Sequence, residues 1–237
     1  MTAERWTRTV RDQLGLGRLL PLGGPGDGAW IAEAAAVAVL ERAAADAVSG
    51  VRLGALRIAL ADPDDVHEPA VPPPPGALPP GALRLTADFA ATAVEPLPAV
   101  ASRLRLRLAT AATRQLGLVV TEVDLRVTGL LDAREPARSV RPPRPAPARE
   151  PTDPDEARAA AAALSVPGVR ELTASLGRAV RLERRPAGTA LPHRHARVEL
   201  ATGADHRAVE VARRVRTAVR DALADRPTVA VLITAVD

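Results

Sequence analysis

The sequence predicts an α+β protein made of two tandem αββαβ modules, each a three-stranded sheet with two helices on one face. Three observations carry that expectation. The phrase V-x-G-V-R occurs twice, in "AVSGVRLGAL" at residues 47–56 and in "SVPGVRELTA" at residues 165–174. Each copy follows an alanine-dominated run of helical spacing and leads into alternating apolar residues. Two proline-rich stretches, 62–81 and 132–153, interrupt the chain where neither a helix nor a central strand can continue.

Taken in order, residues 1–29 read as a flexible lead-in, within which Trp6, Val10 and Leu14 fall at four-residue steps that suit a small docking helix. The first module spans 30–131. Trp30, Ala34, Val37, Leu40, Ala44 and Val48 recur at three- and four-residue steps and predict an amphipathic helix over 30–48. Ser49-Gly50 ends it, and "VRLGALRIAL" (51–60) predicts a strand. The insert 62–81 is expected to be extended and solvated. "LRLTADFAA" (83–91) puts Leu83, Leu85, Ala87 and Phe89 on one strand face. Residues 96–117 return to helical spacing, with Val100, Leu104, Leu108, Ala111 and Ala112 as the buried stripe; Pro98 suits the first turn and Gly117 the end. "LVVTEVDLRV" (118–127) closes the module as a third strand.

Residues 132–153 form an Arg/Pro-rich linker that reads as a stiff spacer. The second module, 154–237, repeats the order. Asp153 can cap a short alanine helix over 154–164, with Pro154 in its first position and Glu156 where a capping-box acid belongs. "VPGVRELTAS" and "AVRLERR" supply the first strand region and "HARVELA" (195–201) the second. Residues 205–224 form a helix with Val211, Val215, Val219 and Ala222 on its buried stripe, and "TVAVLITAV" (228–236) is the closing strand. Only the first copy carries the proline insert, between its first two strands, where an insertion is tolerated. Gly50 and Gly168 are therefore candidate helix-end glycines at matching points of one unit used twice.

Composition narrows the function. The chain has 237 residues, 47% of them hydrophobic, which excludes wholesale disorder, but it has one Phe, no Tyr and two Trp. A core of Ala, Val and Leu buries little area per residue at roughly 25 cal/mol per Å², so each module needs a second apolar surface to pack against. All 32 basic residues are arginine, which reads as the codon bias of a GC-rich genome, and the net charge of +4 is mild. There is no cysteine, hence no disulfide, thiolate metal site or cysteine nucleophile. The first twenty residues lack the apolar core of a signal peptide, and no apolar run reaches the length of a membrane span.

Reactive constellations are not evident. None of Ser49, Ser102, Ser139, Ser165 and Ser175 lies in G-x-S-x-G, and a chain without lysine has no Walker A motif. The glycine-rich "LGLGRLLPLGGPGDG" (14–28) matches no dinucleotide fingerprint, and Pro21 and Pro25 remove backbone donors. His193-x-His195, with His206 nearby, is the one metal-like grouping, read here as solvated residues at a loop–strand junction. Asp62, Asp64 and Asp65 lie in the proline insert, where nothing holds them in catalytic geometry. Arg103, Arg105 and Arg107 on the first long helix, and Arg207, Arg213, Arg214, Arg216 and Arg220 on the second, read as charged solvated faces diluted by Asp205, Glu210, Asp221 and Asp225. There are almost no aromatics on which bases could stack. No catalytic, cofactor-binding or metal residues are assigned, and no cofactor is expected.

The pattern resembles the alkaline shock proteins, a family of general-stress and cell-envelope-stress proteins of Gram-positive bacteria. "AEAAAVAVLERAAADAVSGV" (32–51) looks like the family's Ala/Val helix ending in V-x-G-V. "LPAVASRLRLRLATAATRQLGLVVTEVDLRV" (97–127) is similar to its h-P-x-V helix, G-h turn and alternating strand, and residues 152–237 resemble a more divergent copy. The resemblance implies a non-enzymatic cytoplasmic scaffold or adaptor, peripheral at the inner face of the cell membrane. It also implies a small membrane-anchored protein partner, and self-association with copies of itself or with paralogues, without direct membrane insertion. The rival expectation is an arginine-dependent nucleic-acid-binding protein of KH-like topology, although neither module has the G-x-x-G loop of that fold.

Overall fold

Two glycines turn the chain in the same way. Gly50 (φ 71°) and Gly168 (φ 96°) both adopt the left-handed conformation that a side chain disfavours, and a strand begins at the very next residue in each case, Val51 and Val169. The computed structural model describes residues 16–47, 50–132, 144–187 and 190–237. Among these residues the fold is α+β, with four α-helices and nine strands in two sheets of six and three strands. The expected docking helix around Trp6, Val10 and Leu14 and the middle of the Arg/Pro linker lie outside the described residues.

In chain order the first elements are β1 (Leu19–Pro21), β2 (Ala29–Ala32), α1 (Glu33–Ala47), β3 (Val51–Leu60), β4 (Leu83–Thr92), α2 (Leu97–Ala111) and β5 (Val120–Leu131). They are followed by α3 (Pro154–Leu164), β6 (Val169–Leu172), β7 (Val180–Ala187), β8 (Ala190–Thr202), α4 (Ala208–Ala222) and β9 (Thr228–Val236). The smaller sheet runs β3-β4-β5, with β3 antiparallel to β4 and β4 parallel to β5 across the α2 crossover. Helix α2 buries Val100, Leu104, Leu108 and Ala111, as its spacing predicts, and ends in a wide turn over Ala112–Leu116 before Gly117 at φ 93°.

The larger sheet corrects the expectation of three strands per half. Its order is β1-β2-β9-β8-β6, with β7 also paired to β8. Strands β6 and β7 are antiparallel to β8, and β8 is parallel to β9 across α4. Strand β2 then adds to the far edge of β9 in parallel, Trp30 opposite Leu232, with β1 antiparallel outside it. Residues 16–29 are thus no flexible lead-in: Leu19, Leu20, Leu22 and Ala29 are buried. Trp30 does not open the first helix but sits in a strand, 1% exposed. The cause is β9, "TVAVLITAV", buried at every residue after Thr228, whose apolar edge pairs with β2 instead of meeting water.

Helix α1 starts at Glu33, whose Oε1 accepts the Ile58 N–H at 3.2 Å and pairs with Arg18 at 3.1 Å. It packs on β9 on one side and on β3 and α2 on the other. That position explains its composition. Ala35, Ala36, Val39, Leu40 and Ala44 are buried, and Ala34 and Val37 are half-buried, so the apolar surface is broader than the expected single stripe. On the other side of the larger sheet, α3 lies against β6 and β7, α4 against β9, and the two helices pack on each other. Asp153 caps α3 as its sequence predicts, its Oδ1 accepting from the N–H groups of Asp155 and Glu156 at 2.8 and 3.0 Å. Glu156 does not complete a capping box; it reaches Leu182 N–H instead, at 3.3 Å.

The proline insert also departs from expectation. Although extended, it folds back on the N-terminal strands. Trp30 Nε1 donates to Leu78 O at 3.2 Å, Leu78 N–H to Leu19 O at 2.9 Å, and Ala70 N–H to Pro25 O at 3.0 Å. Val71 is buried. At the end of the Arg/Pro linker, Ala146 O accepts the Ala174 N–H at 2.8 Å, which ties residues beside α3 to the turn after β6.

Two consequences can be measured. Trp30→Ala should cost about 3–5 kcal/mol in thermal or urea unfolding and lower the hydrogen-exchange protection of β9 amides before that of β4. Residues 154–237 alone, lacking β2, should melt well below the full chain; equal melting temperatures would mean that β2 contributes no stability to the larger sheet.

Candidate functional site

Helix α4 carries Arg213, Arg216 and Arg220 at three- and four-residue steps, and these place three guanidiniums on one face. That face meets the glycine-rich loop between β1 and β2. Asp27 takes a two-pronged bond from Arg213, Nε to Oδ1 at 2.7 Å and Nη2 to Oδ2 at 2.9 Å. The Arg213 hydrogen bonds hold the Asp27 carboxyl below the ordinary carboxylate range despite its partial burial. Arg216 donates from Nε to Val229 O at 3.0 Å and from Nη1 to Gly26 O at 2.7 Å and to Asp27 O. Within the loop, Gly23 N–H donates to Gly117 O at 3.0 Å and Gly24 N–H to Asp27 Oδ2 at 2.7 Å. The loop thus docks the two halves on each other.

Two concave sites flank Arg213. One, of about 350 Å³, lies between the loop and the end of α2, against Gly117, Val119, Arg207 and Val209. Arg207 Nε is engaged there with Thr113 O at 3.2 Å. The other, of about 440 Å³, is lined by Arg213, Arg216, Thr217, Arg220 and Arg226, with Val71 of the proline insert among its apolar residues. The sequence had presented these arginines as a solvated face. The three-and-four spacing on α4 was the available signal; what it could not reveal is the Gly26–Asp27 loop that Arg216 binds.

The histidines do not converge. His195 is buried, its Nδ1 2.9 Å from Thr228 Oγ1, whereas His193 is exposed. His206 follows the opposite end of β8, its Nδ1 3.1 Å from Asp205 Oδ1. Among the described residues no three His, Asp or Glu side chains are grouped to hold a metal ion. Asp62 Oδ1 accepts the Asp64 N–H at 2.9 Å in a local turn, so these acids order the insert. No helix among the described residues is long and apolar enough to cross a membrane.

A buried acid went unnoticed in the sequence. Glu199 of β8 is fully buried; its Oε2 accepts the Leu176 N–H at 2.9 Å and its Oε1 lies 3.4 Å from Arg197 Nη2. Thr173 and Thr234, also buried, meet Oγ1 to Oγ1 at 2.7 Å. Burial pushes the Glu199 pKa up to about 7, outweighing the opposing Leu176 N–H bond and Arg197 charge.

The three-stranded sheet leaves strand edges and apolar side chains exposed. Neither β3 nor β5 pairs with a further strand among the described residues. On β5, Val127 is 42% and Leu130 65% exposed, and Leu106 on α2 is 67% exposed. Near the start of this edge Arg105 Nε donates to Val123 O at 3.0 Å. No protein-family model matches the chain, and a search of curated proteins returns no significant relative.

Asp27→Asn should lower stability by roughly 1 kcal/mol at neutral pH, a figure discounted for the solvent around Arg213. Since the Asp27 pKa is depressed on folding, this difference from the parent chain should shrink as the pH falls below the ordinary aspartate range. Glu199→Gln should act in the opposite sense. A raised pKa favours the folded state only while the group is protonated, so the parent chain should lose up to about 3 kcal/mol relative to the variant as the pH rises from about 4.5 through about 7. Denaturant melts from about pH 2 to about pH 8 cover both windows.

Proposed function

We propose that this protein is a non-enzymatic scaffold or adaptor of the alkaline shock type, working through protein–protein contacts at the cytoplasmic face of the cell envelope. The observation that carries the reading is the free edge of β5. It is a twelve-residue strand, unpaired among the described residues along one side, with exposed Val127 and Leu130 at its far end. Edges of this kind pair with other chains unless blocked. Its partner is expected to be a small membrane-anchored protein, with self-association or association with paralogues as a second use of the same edge.

The duplication belongs to this proposal. We infer one αββαβ unit used twice, the second enlarged by β1 and β2. Both halves pair first strand to second antiparallel and second to third in parallel across a helix. Both turn from first helix to first strand at a left-handed glycine. In both, a first-turn glutamate accepts a backbone N–H of the strand region that follows, Glu33 from Ile58 and Glu156 from Leu182. Fusion of two such units replaces an encounter between chains by a contact at high effective concentration.

Crosslinking in native cells tests the reading, with captured material scored for membrane proteins and for nucleic acid. The parent chain should crosslink to membrane proteins, and Val127→Arg with Leu130→Arg should abolish those crosslinks without shifting the melting temperature. Capture of nucleic acid alone, or crosslinks indifferent to both substitutions, would falsify it.

A further inference from the structure

The α4 groove contains more positive charge than the protein answers. Its lining holds Arg213, Arg216, Arg220 and Arg226 but no carboxylate. The acids that reach these arginines from outside are Asp27 and Glu210, both on Arg213, and Asp221, whose single Oδ1 serves Arg220 Nε at 3.2 Å and Arg226 Nη2 at 2.8 Å. Four guanidiniums therefore face three carboxylates, two of which are occupied by Arg213.

Arg216 is the centre of the imbalance. It is half-buried and its bonded partners are all carbonyl oxygens, of Val229, Gly26 and Asp27; no carboxylate bonds it, and its Nη2 has no partner among the described residues. Burial draws its pKa down, the Asp27 charge offsets this in part, and the Arg220 charge adds repulsion. Such a group is stabilised by an anion that enters the groove. The negative end of the α4 dipole accounts for cations in the last turn, at Arg220, but not for Arg216 well inside the helix.

Arg226 adds an independent observation. It is the only described residue other than glycine with positive φ, at 46°. Left-handed backbone is strained for a side chain of this kind, and the first half uses a glycine, Gly117, in the turn before its own closing strand. The sequence keeps arginine where glycine would be relaxed, and this arginine lines the groove.

We propose that this groove binds a compact phosphate anion of the diphosphate class, held by Arg216 Nη2 at its floor and by Arg220 and Arg226 at its rim. Thr217, which lines the groove, offers a hydroxyl. No aromatic side chain lines it, so recognition falls on the phosphate and not on a base. Arg216 can meet one phosphoryl group through Nη2 alone, its Nε and Nη1 being bonded to carbonyls, and the second phosphoryl group of a diphosphate reaches Arg220 and Arg226 at the rim. The volume of about 440 Å³ admits such a group with a short aliphatic appendage against Val71 and Val229.

Calorimetric titration of the full chain with inorganic pyrophosphate at 50 mM salt tests this, with sulfate and a short single-stranded RNA as parallel probes. Saturable one-to-one binding of pyrophosphate, at least tenfold tighter than sulfate, is expected. Arg216→Ala should weaken it more than tenfold, but that variant also frees three carbonyls and can unfold. Arg226→Gly is the cleaner substitution: it relieves the left-handed strain, so the melting temperature should hold or rise while pyrophosphate affinity falls several-fold. Undiminished affinity in Arg226→Gly, no saturable binding, equal affinity for sulfate, or binding of RNA without pyrophosphate would each overturn the proposal. None of these outcomes bears on the β5 edge.

Discussion

The parallel pairing of β2 with β9 is the constraint from which the arrangement follows. It places residues from the start of the described chain in the sheet of the second half. Because α1 begins at Glu33, directly after β2, the helix is laid against β9, and the smaller sheet then forms on its other side. The loop joining β1 to β2 is fixed on α4 by Arg213 and Arg216. Arg42, farther along α1, donates from Nη2 to Val236 O at 2.6 Å and ties the helix to the end of β9. One apolar core runs through both halves as a result.

How much of this was legible depended on the range of the interaction. The helices over 96–117, 154–164 and 205–224 and the strand over 83–91 follow from local periodicity, because each shows one face to a core and one more open to solvent, whereas the strand over 228–236 is legible as a short, continuous β-branched and apolar run buried on both faces. Trp30 was misassigned because its spacing to Ala34 and Val37 is helical, while its partner, Leu232, lies in a strand that local pattern cannot associate with it. The proline insert was misread for the same reason: prolines exclude regular pairing but do not prevent Leu78 O from receiving an indole N–H. Glu199 lies inside "HARVELA", and nothing in that stretch shows that it is buried. Its partners come from the turn over residues 173–177, where Leu176 N–H reaches its carboxylate and Thr173 N–H its carbonyl. Most groove arginines were visible as a cluster, and only the tertiary fold distinguishes Arg216, bonded to carbonyls, from Arg213, bonded to carboxylates.

Arginine does work here that its compositional origin did not predict. Arg42, Arg105, Arg207 and Arg216 each donate to backbone carbonyls at strand, helix or loop ends that no neighbouring strand reaches. Hydrogen bonds from a charged donor contribute about 1.5–3 kcal/mol when partly shielded, and the weakly hydrated guanidinium suits such positions better than an ammonium. In a core built from alanine and valine, these contacts hold together elements whose apolar area alone is small.

The reach of β2 to β9 also orders events in time. Arg42 and Val236 are 194 residues apart in the chain, and no shorter path brings α1 onto β9. During synthesis on the ribosome, the segment with Leu19, Leu20 and Trp30 emerges long before the strand that will shelter it. The smaller sheet can assemble early from local contacts, whereas the larger one waits on loop closure across most of the polypeptide. Until β9 has been made, Leu19, Leu20 and Trp30 therefore lack the strand against which they are buried in the folded protein.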